Sequence, residues 1–311
     1  MNKSHNKLVV ILGPTGCGKT RISLDLAKEF NGEIVGADSR QIYKWMNIGT
    51  DKMAGKWKRV AGRRVYEADK VAHYLVDFLE PNKDFSLAEF QRRAVRRIKD
   101  IQARGKLPFL VGGTGLYIKA VVDNMKIPRV KANQHLRDSL ETKPNEDLWN
   151  LLSRLDPGAL KVVDPQNKRR IIRALEVCIL TGKPFSTQRR LGDPIFNALQ
   201  IGLRVPREEL DQRVDKRVDK MVEDGLLEEV KSLLKRGFYW DDPGLTGIGY
   251  RQIGHYLQGS MNLEQAIRLL KRDTRRYARR QMTWFKRDDR INWIENNNLA
   301  FSSVEDFLRK H

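Results

Sequence analysis

Two groups of residues in this chain have the types and spacing for chemistry on a phosphorylated substrate. The first is Gly13-Pro14-Thr15-Gly16-Cys17-Gly18-Lys19-Thr20, which fits the phosphate-loop pattern G-x-x-x-x-G-K-[ST]. Glycines let backbone N–H groups converge on a phosphate with no Cβ in the way, and a helix starting there adds partial positive charge. Lys19 supplies a full charge, and the Thr20 hydroxyl is the type of ligand that holds Mg2+ against phosphate oxygens. The pattern specifies a phosphate or diphosphate; it does not specify ATP. The second group is Asp38-Ser39-Arg40-Gln41. Three roles are open to its carboxylate: a Mg2+ ligand, a general base, or a structural cap.

The elements that must place these groups are readable. Leu8 to Leu12 form an apolar run, and Ile22, Leu26 and Phe30 follow at helical spacing, so the loop has the strand before it and the helix after it that the motif requires. Residues 34–37 read as a second strand ending at Asp38. In an open α/β sheet the carboxyl ends of the strands face the ligand crevice, so Asp38 is expected to face whatever the loop holds. Residues 40–55 read as a binding loop. Residues 56–64, with five basic side chains, read as a solvated basic flap, and residues 73–79 as a third strand. Ser86-Leu87-Ala88-Glu89 is a capping box. It opens a helix with Leu87, Phe90, Ala94, Ile98 and Ile101 on one stripe, closed by Gly105. A strand at 109–111 then breaks into Gly112-Gly113-Thr114-Gly115. Two Gly-rich turns in one α/β unit imply a ligand held between them.

The pattern changes after about residue 124. Residues 125–195 are helical and polar and carry the basic cluster Gln166-Asn167-Lys168-Arg169-Arg170, which reads as the start of a helix over 171–180. The expected architecture is α/β: a P-loop NTPase-like parallel sheet flanked by helices, built from 1–124 and 196–311, with 125–195 as an inserted helical subdomain. Strand character returns at 199–205. Pro206 opens a helix running to 224, with Leu210, Val214, Val218 and Met221 as its apolar stripe and Arg213 and Arg217 beside it. A Gly-rich bend through Gly247-Ile248-Gly249-Tyr250-Arg251-Gln252 leads to two more helices. The last, 263–285, is expected to bury Ile267, Leu270, Tyr277 and Trp284 and to present Arg268, Arg272, Arg275 and Arg279. A strand at 291–294 and a terminal helix follow.

Composition narrows the function. The 311 residues carry a formal net charge of +20, which calls for a polyanionic partner, nucleic acid first and an anionic membrane surface second. Two cysteines exclude a disulfide framework and a Cys-rich zinc module, and fit a reducing cytoplasm. No apolar run is long enough to span a membrane, and the amino terminus leads into the first strand without a signal peptide. A P-loop kinase fits the loop but leaves the basic segments unexplained. An NTPase would place a carboxylate after the strand at 109–111, where glycines stand instead.

Taken together, GPTGCGKT, GADSRQIYKWMNIGTDK, HYLVDFLEP, LPFLVGGTGLY, RRIIRALEV, GIGYRQ and TRRYARRQMTWFKR resemble the tRNA dimethylallyltransferase, or tRNA isopentenyltransferase, family over nearly the whole chain. The C-terminal zinc finger of eukaryotic relatives is absent, so the resemblance is to the bacterial branch. It implies transfer of a dimethylallyl group from dimethylallyl diphosphate to the exocyclic N6 amine of an adenosine. That adenosine lies immediately 3′ of the anticodon in tRNAs reading codons that begin with U. It implies that Gly13 to Thr20 hold the diphosphate, with Thr20 on Mg2+, that Asp38 is the catalytic base, and that Lys19, Thr114 and Arg217 serve catalysis, with Arg213 near enough to compete for the last role. It further implies tRNA contacts from Asp38, Ser39, Arg40, Gln41, Thr114, Arg137, Gln166, Asn167, Lys168, Arg169, Arg170, Gly247, Ile248, Gly249, Tyr250, Arg251 and Gln252. To these the basic last helix adds Arg275 and Arg279. The expected partners are the anticodon stem-loop of tRNA and dimethylallyl diphosphate, with no membrane, for a cytoplasmic monomer. A free adenine nucleotide is the alternative acceptor.

Overall fold

The computed structural model describes residues 6–310 apart from 61, 129, 189 and 190. The chain divides into two compact units: one comprises the chain up to Val121 together with everything from Ile195 onward, and the other is Val122–Pro194.

The first unit is built on eight strands, β1 (Lys7–Leu12), β2 (Gly32–Gly36), β3 (Lys56–Val60), β4 (Arg63–Ala68), β5 (Val71–Tyr74), β6 (Leu107–Gly112), β7 (Asn197–Leu203) and β8 (Ile291–Ile294). They form one sheet in the order β3-β4-β5-β2-β6-β1-β7-β8. From β5 to β8 every pairing is parallel. Leu8 to Leu12 of β1 are completely buried, because a central parallel strand is covered on both faces and so reads as an uninterrupted apolar run. The chain builds outward from β1 on one side through β6, β2 and β5, and on the other through β7 and β8. The crevice opens where the order reverses, at the carboxyl end of β1.

Helices α1 (Lys19–Glu29), α2 (Leu87–Ala103) and α3 (Gly115–Val122) belong to the first half of this unit. Phe90, Ala94, Ile98 and Ile101 of α2 are fully buried, and the Ser86 hydroxyl accepts from the Glu89 N–H as the capping box requires. The second unit is helical: α4 (Gln134–Glu141), α5 (Asn145–Leu155), α6 (Lys168–Thr181), α7 (Phe185–Gln188) and a 3-10 turn at Pro157–Lys161. Leu148, Leu152, Ile171 and Leu175 form its own core. The chain re-enters the first unit at β7 and continues as α8 (Arg207–Glu223), α9 (Leu226–Lys235), α10 (Tyr250–Leu257), α11 (Leu263–Phe285) and α12 (Asn297–Arg309).

Three local expectations are corrected. The basic flap is the antiparallel hairpin β3–β4, which extends the sheet beyond β5. The strand expected over 73–79 ends at Tyr74, because Leu75 and Asp77 take φ of 59° and 53°, a left-handed backbone that no strand accommodates. In α11 the buried residues are Ala266, Leu270, Ala278, Gln281 and Phe285, while Tyr277 and Trp284 are only partly covered.

At the amino edge of the sheet, Glu33 of β2 accepts from Arg104 at 2.6 and 2.5 Å and from the Tyr74 hydroxyl at 2.7 Å, and pairs with Lys106 at 2.9 Å. Burial alone would raise the pKa of Glu33; the donors from Arg104, Lys106 and Tyr74 overcome it and lower the value from 4.5 to about 2. A carboxylate whose folded pKa is depressed contributes stability above its unfolded pKa and loses it as pH falls through the folded one. Stability should therefore drop by about 3 kcal/mol between pH 4.5 and pH 2 on account of this one group. Urea unfolding midpoints across that window should fall less steeply in Glu33→Gln than in the parent.

Candidate active site at the carboxyl ends of the sheet

The turn after β1 has the backbone that its glycines predict. Gly16 and Gly18 take φ of 88° and 94°, and α1 begins directly at Lys19. The Lys19 ammonium folds back over the loop and donates to the Pro14 carbonyl at 2.7 Å. Thr20 is exposed at the first turn of α1.

Arg217 is the α8 arginine that reaches this loop. Its guanidinium donates to the Thr15 hydroxyl at 3.0 Å and pairs with Asp51 at 2.9 Å. Arg213, one turn earlier, pairs with Glu209 on the exposed side of the helix. Of the two, Arg217 is the one in contact with the loop. Asp51 lies in the field of Lys19 and Asp38 as well; desolvation raises its pKa against the pull of Arg217 and Lys19. Sequence reasoning places Asp51 in the binding loop over 40–55 without singling it out.

The second Gly-rich turn, after β6, approaches the end of β2 closely. A Cβ on Gly112 would come within 2.2 Å of the Ala37 carbonyl oxygen. That approach lets the Thr114 N–H donate to the Ala37 carbonyl at 3.2 Å and the Thr114 hydroxyl accept from the Ser39 N–H at 3.2 Å. Asp38 sits between. Its Oδ1 accepts from the backbone N–H groups of Arg40 at 2.7 Å and Gln41 at 3.2 Å, which fixes the carboxylate, while Oδ2 has no hydrogen bond among the described residues. β2 and β1 are separated only by β6, so the carboxylate and the phosphate loop lie about 10 Å apart along the sheet, two strand spacings.

Helix α11 closes this crevice with Gln281, which sequence reasoning passes over, and Tyr277, which it places in the core. The Gln281 side chain is buried. Its Oε1 accepts from the Thr15 N–H at 2.8 Å and its Nε2 donates to the Gly113 carbonyl at 2.8 Å, so one amide ties the two Gly-rich turns together. A Cβ on Gly113 would meet Nε2 at 2.2 Å. Tyr277 lies beside Thr114. Desolvation, and then the charge of Asp38, push its phenol well above the ordinary value. Tyr117 is raised in the same way by burial and then by its neighbours Tyr43 and Asp38. Asp38 therefore stands in a pocket of phenols and apolar surface, with Arg40 as its nearby cation. The signal available in the sequence was register: Gln281 falls on the stripe of Ala278 and Phe285, where a polar residue needs a partner.

Other expected contact residues are placed differently. Arg275 and Arg279 do not form a free charged face. With Lys271 they make a ladder across to α8: Lys271 to Asp219 at 2.6 Å, Arg275 to Asp215 at 2.6 Å and Arg279 to Asp211 at 2.8 Å. The four-residue repeats of Asp on one helix and Lys or Arg on the other match when the helices run antiparallel. On α11, Arg276 and Arg280 are exposed, and the Arg280 guanidinium lies 5.9 Å from the Tyr277 ring centroid. In the Gly-rich bend, Gly247, Gly249, Tyr250 and Gln252 are buried, Ile248 is half-buried and Arg251 is exposed. Tyr250 donates to Glu229, which also accepts from the N–H groups of Asn47, Ile48 and Gly49. Gln252 bridges the Gly249 N–H and Asp273. These residues brace the loop over 41–53. Arg40 donates to the Pro243 carbonyl at 2.6 Å and Gln41 to the carbonyls of Thr50 and Asp51.

In the helical unit, Arg137 binds Glu176 through two nitrogens at 2.9 Å. Glu176 is fully buried and also accepts from Arg173 and the Asn133 N–H, so Arg137 neutralises a buried carboxylate. Asn167 caps α6, Lys168 donates to the Glu141 carbonyl, and Gln166, Arg169 and Arg170 are exposed.

A family model described as IPP transferase matches residues 41–288. The tRNA dimethylallyltransferase 2 of Geotalea uraniireducens is 44% identical over 296 residues, covering 93% of this chain and 92% of its own length. The tRNA dimethylallyltransferase of Roseiflexus sp. (strain RS-1) is 45% identical over 284 residues, with 90% of each chain covered. Among solved structures, the full-length tRNA isopentenylpyrophosphate transferase from Bacillus halodurans superposes with a TM-score of 0.69 at 40% identity, over 98% of this chain and 100% of that one. A eukaryotic dimethylallyltransferase acting on tRNA superposes with a TM-score of 0.77 at 29% identity, over 95% of this chain and 75% of that one.

Proposed function

The chain belongs to the IPP transferase family, and from that premise we propose that it transfers a dimethylallyl group from dimethylallyl diphosphate to the N6 amine of the adenosine 3′ of the anticodon in tRNA. The observation that carries this reading is the Asp38 carboxylate, held at Oδ1 and unengaged at Oδ2, facing a phosphate loop across the Gly113-Thr114 turn.

The donor's diphosphate sits on the backbone N–H groups of the loop and on Lys19, with Arg217 closing over Thr15. Allylic carbon ionises readily once the diphosphate leaves, so the main task is to stabilise the growing negative charge in place. Mg2+ suits this end of the site. Thr20 offers one hard oxygen, and the described residues hold no cluster of three or more His, Cys, Asp or Glu that would cage a metal alone, so the cation would arrive with the diphosphate. Bound there, it supplies charge neutralisation for the leaving group. The acceptor adenine is drawn out of its loop to reach the crevice. Asp38 Oδ2 accepts a hydrogen bond from the N6 amine, orients it, and takes its proton as the N–C bond forms. Thr114 and Tyr277 form the wall beside that carboxylate. Arg276 and Arg280 of the first unit, and Arg169 and Arg170 of the helical unit, are among the exposed cations available to tRNA phosphates, as is Arg251, which also pairs with Asp273 at 3.4 Å.

No described helix is long and apolar enough to cross a membrane; the proposed enzyme works in the cytoplasm as a monomer, where its tRNA is found. The test is incubation with dimethylallyl diphosphate and total tRNA, followed by mass analysis of the nucleosides. The expected product is adenosine carrying one five-carbon unit on N6, with ATP left intact. ATP hydrolysis without prenyl transfer, or prenylation of free adenine nucleotide in preference to tRNA, overturns the reading.

A further inference from the structure

The basic hairpin β3–β4 has no part in the chemistry above, yet the sheet register places its tip beside it. Ile34 of β2 is level with His73 of β5, His73 with Tyr66 of β4, and Tyr66 with Trp57 of β3. Three residues further toward the carboxyl ends, that row runs from Ala37, the residue before Asp38, to Arg63 and Val60. The tip thus emerges on the same side of the sheet as Asp38 and the phosphate loop. It stands about 10–15 Å away, two to three strand spacings.

Its charge distribution is unusual for an edge. Exposed lysines on an edge strand discourage pairing with another sheet, and that accounts for Lys56 and Lys58. It does not account for Arg59 and Arg64, which stand directly opposite each other. Like charges in that position repel and are normally avoided. Arg64 stacks over the Trp57 ring at 4.5 Å. The Arg59 side chain is exposed and has neither hydrogen bond nor ion pair among the described residues. The hairpin is also anchored: Trp57 Nε1 donates to Asp77 at 3.0 Å, Asp77 pairs with Lys52 at 2.7 Å, and the Asp77 N–H donates to the Gln41 carbonyl at 2.9 Å. The cations are therefore mounted on the loop that carries Gln41 and Asp51.

We propose that the Arg59–Arg64 tip of this hairpin grips the phosphate backbone of the RNA strand flanking the acceptor base, so that the unpaired charges are neutralised only in the complex. At 3.4 Å per nucleotide along a stacked strand, the distance from Asp38 corresponds to roughly three to four nucleotides. The inference rests on the proposed RNA substrate.

Arg59→Glu tests it, because a glutamate opposite Arg64 replaces a repulsive pair with an ion pair and preserves the hairpin. Lys70→Glu, in the β4–β5 turn at the other end of strand β4, makes the same change in net charge away from the tip. Fluorescence anisotropy with a labelled anticodon stem-loop, across a salt series, should show Arg59→Glu binding about five- to tenfold more weakly, with the salt slope lowered by about one. Lys70→Glu should bind as the parent does. In the prenylation assay, Arg59→Glu should raise KM for RNA and leave kcat and the KM for dimethylallyl diphosphate unchanged, with a melting temperature no lower than the parent's. Arg59→Gln should fall between. Parent-like RNA binding and salt slope in Arg59→Glu, or an equal loss in Lys70→Glu, overturns the hairpin's role while leaving the activity standing. A parent enzyme that does not prenylate the stem-loop overturns both.

Discussion

Asp38→Ala should lower kcat by roughly two to four orders of magnitude, the span of general acid–base catalysis, while affinity for dimethylallyl diphosphate stays within a few-fold. The adenine N6 lone pair is delocalised into its ring, so the amine is a poor nucleophile and becomes cationic as it bonds to the allylic carbon. It needs an acceptor for its proton at that moment. In the proposed mechanism Asp38 meets the need: two backbone N–H groups hold Oδ1 in place, and Oδ2 would be left to the substrate. Beside Asp38 lies the stacked pair Tyr117–Phe90, 3.9 Å between centroids. Were Asp38 a Mg2+ ligand, the substitution would weaken diphosphate binding and added Mg2+ would restore turnover. Donor affinity and kcat measured for Asp38→Ala across a Mg2+ series separate the two, and rescue by Mg2+ would remove the base from the mechanism.

Lys19→Ala and Arg217→Ala should each lower kcat by about two to three orders of magnitude, as losing a preorganised electrostatic group at the developing charge does. Arg213→Ala should leave kcat within about twofold, because exposed helix ion pairs contribute little. The contrast follows from one turn of α8: Arg217 meets Thr15 and Asp51, and Arg213 meets Glu209. Steady-state kinetics with tRNA saturating and dimethylallyl diphosphate varied will show it. Equal losses in Arg213→Ala and Arg217→Ala would mean that α8 acts through its overall charge.

The parts of this arrangement that depend on local pattern were legible before any coordinates. The phosphate loop, the capping box at Ser86 and the limits of α11 follow from neighbouring residues alone, and Asp38 follows from its place at the end of an apolar strand. Long-range partnership was not legible. Arg275 and Arg279 read as a free basic face because their carboxylates lie on α8, some sixty residues earlier. Nothing local reveals Glu229 and Asp273 as the partners of Tyr250 and Gln252. The hairpin read as a flap because a strand of Lys, Trp, Lys, Arg and Val carries little apolar alternation, and its pairing with β4 supplies what propensity does not. Tyr277 and Trp284 were counted as core because aromatic residues at helical spacing look alike whether they fill a core or line a crevice.

The Gln281 amide has a consequence for how the protein is made. Its bond to Thr15 spans 266 residues, so the phosphate loop leaves the ribosome long before the residue that braces it. At about 5–20 residues per second, the delay is roughly 13–53 s. For most of that interval β1 also waits for β7, its partner on one side. A nascent chain carrying the complete phosphate motif therefore holds it on an unfinished sheet, with the Thr15 N–H open to water. The loop reaches its braced form only when synthesis is nearly done, and chains truncated before α11 carry the motif without that brace.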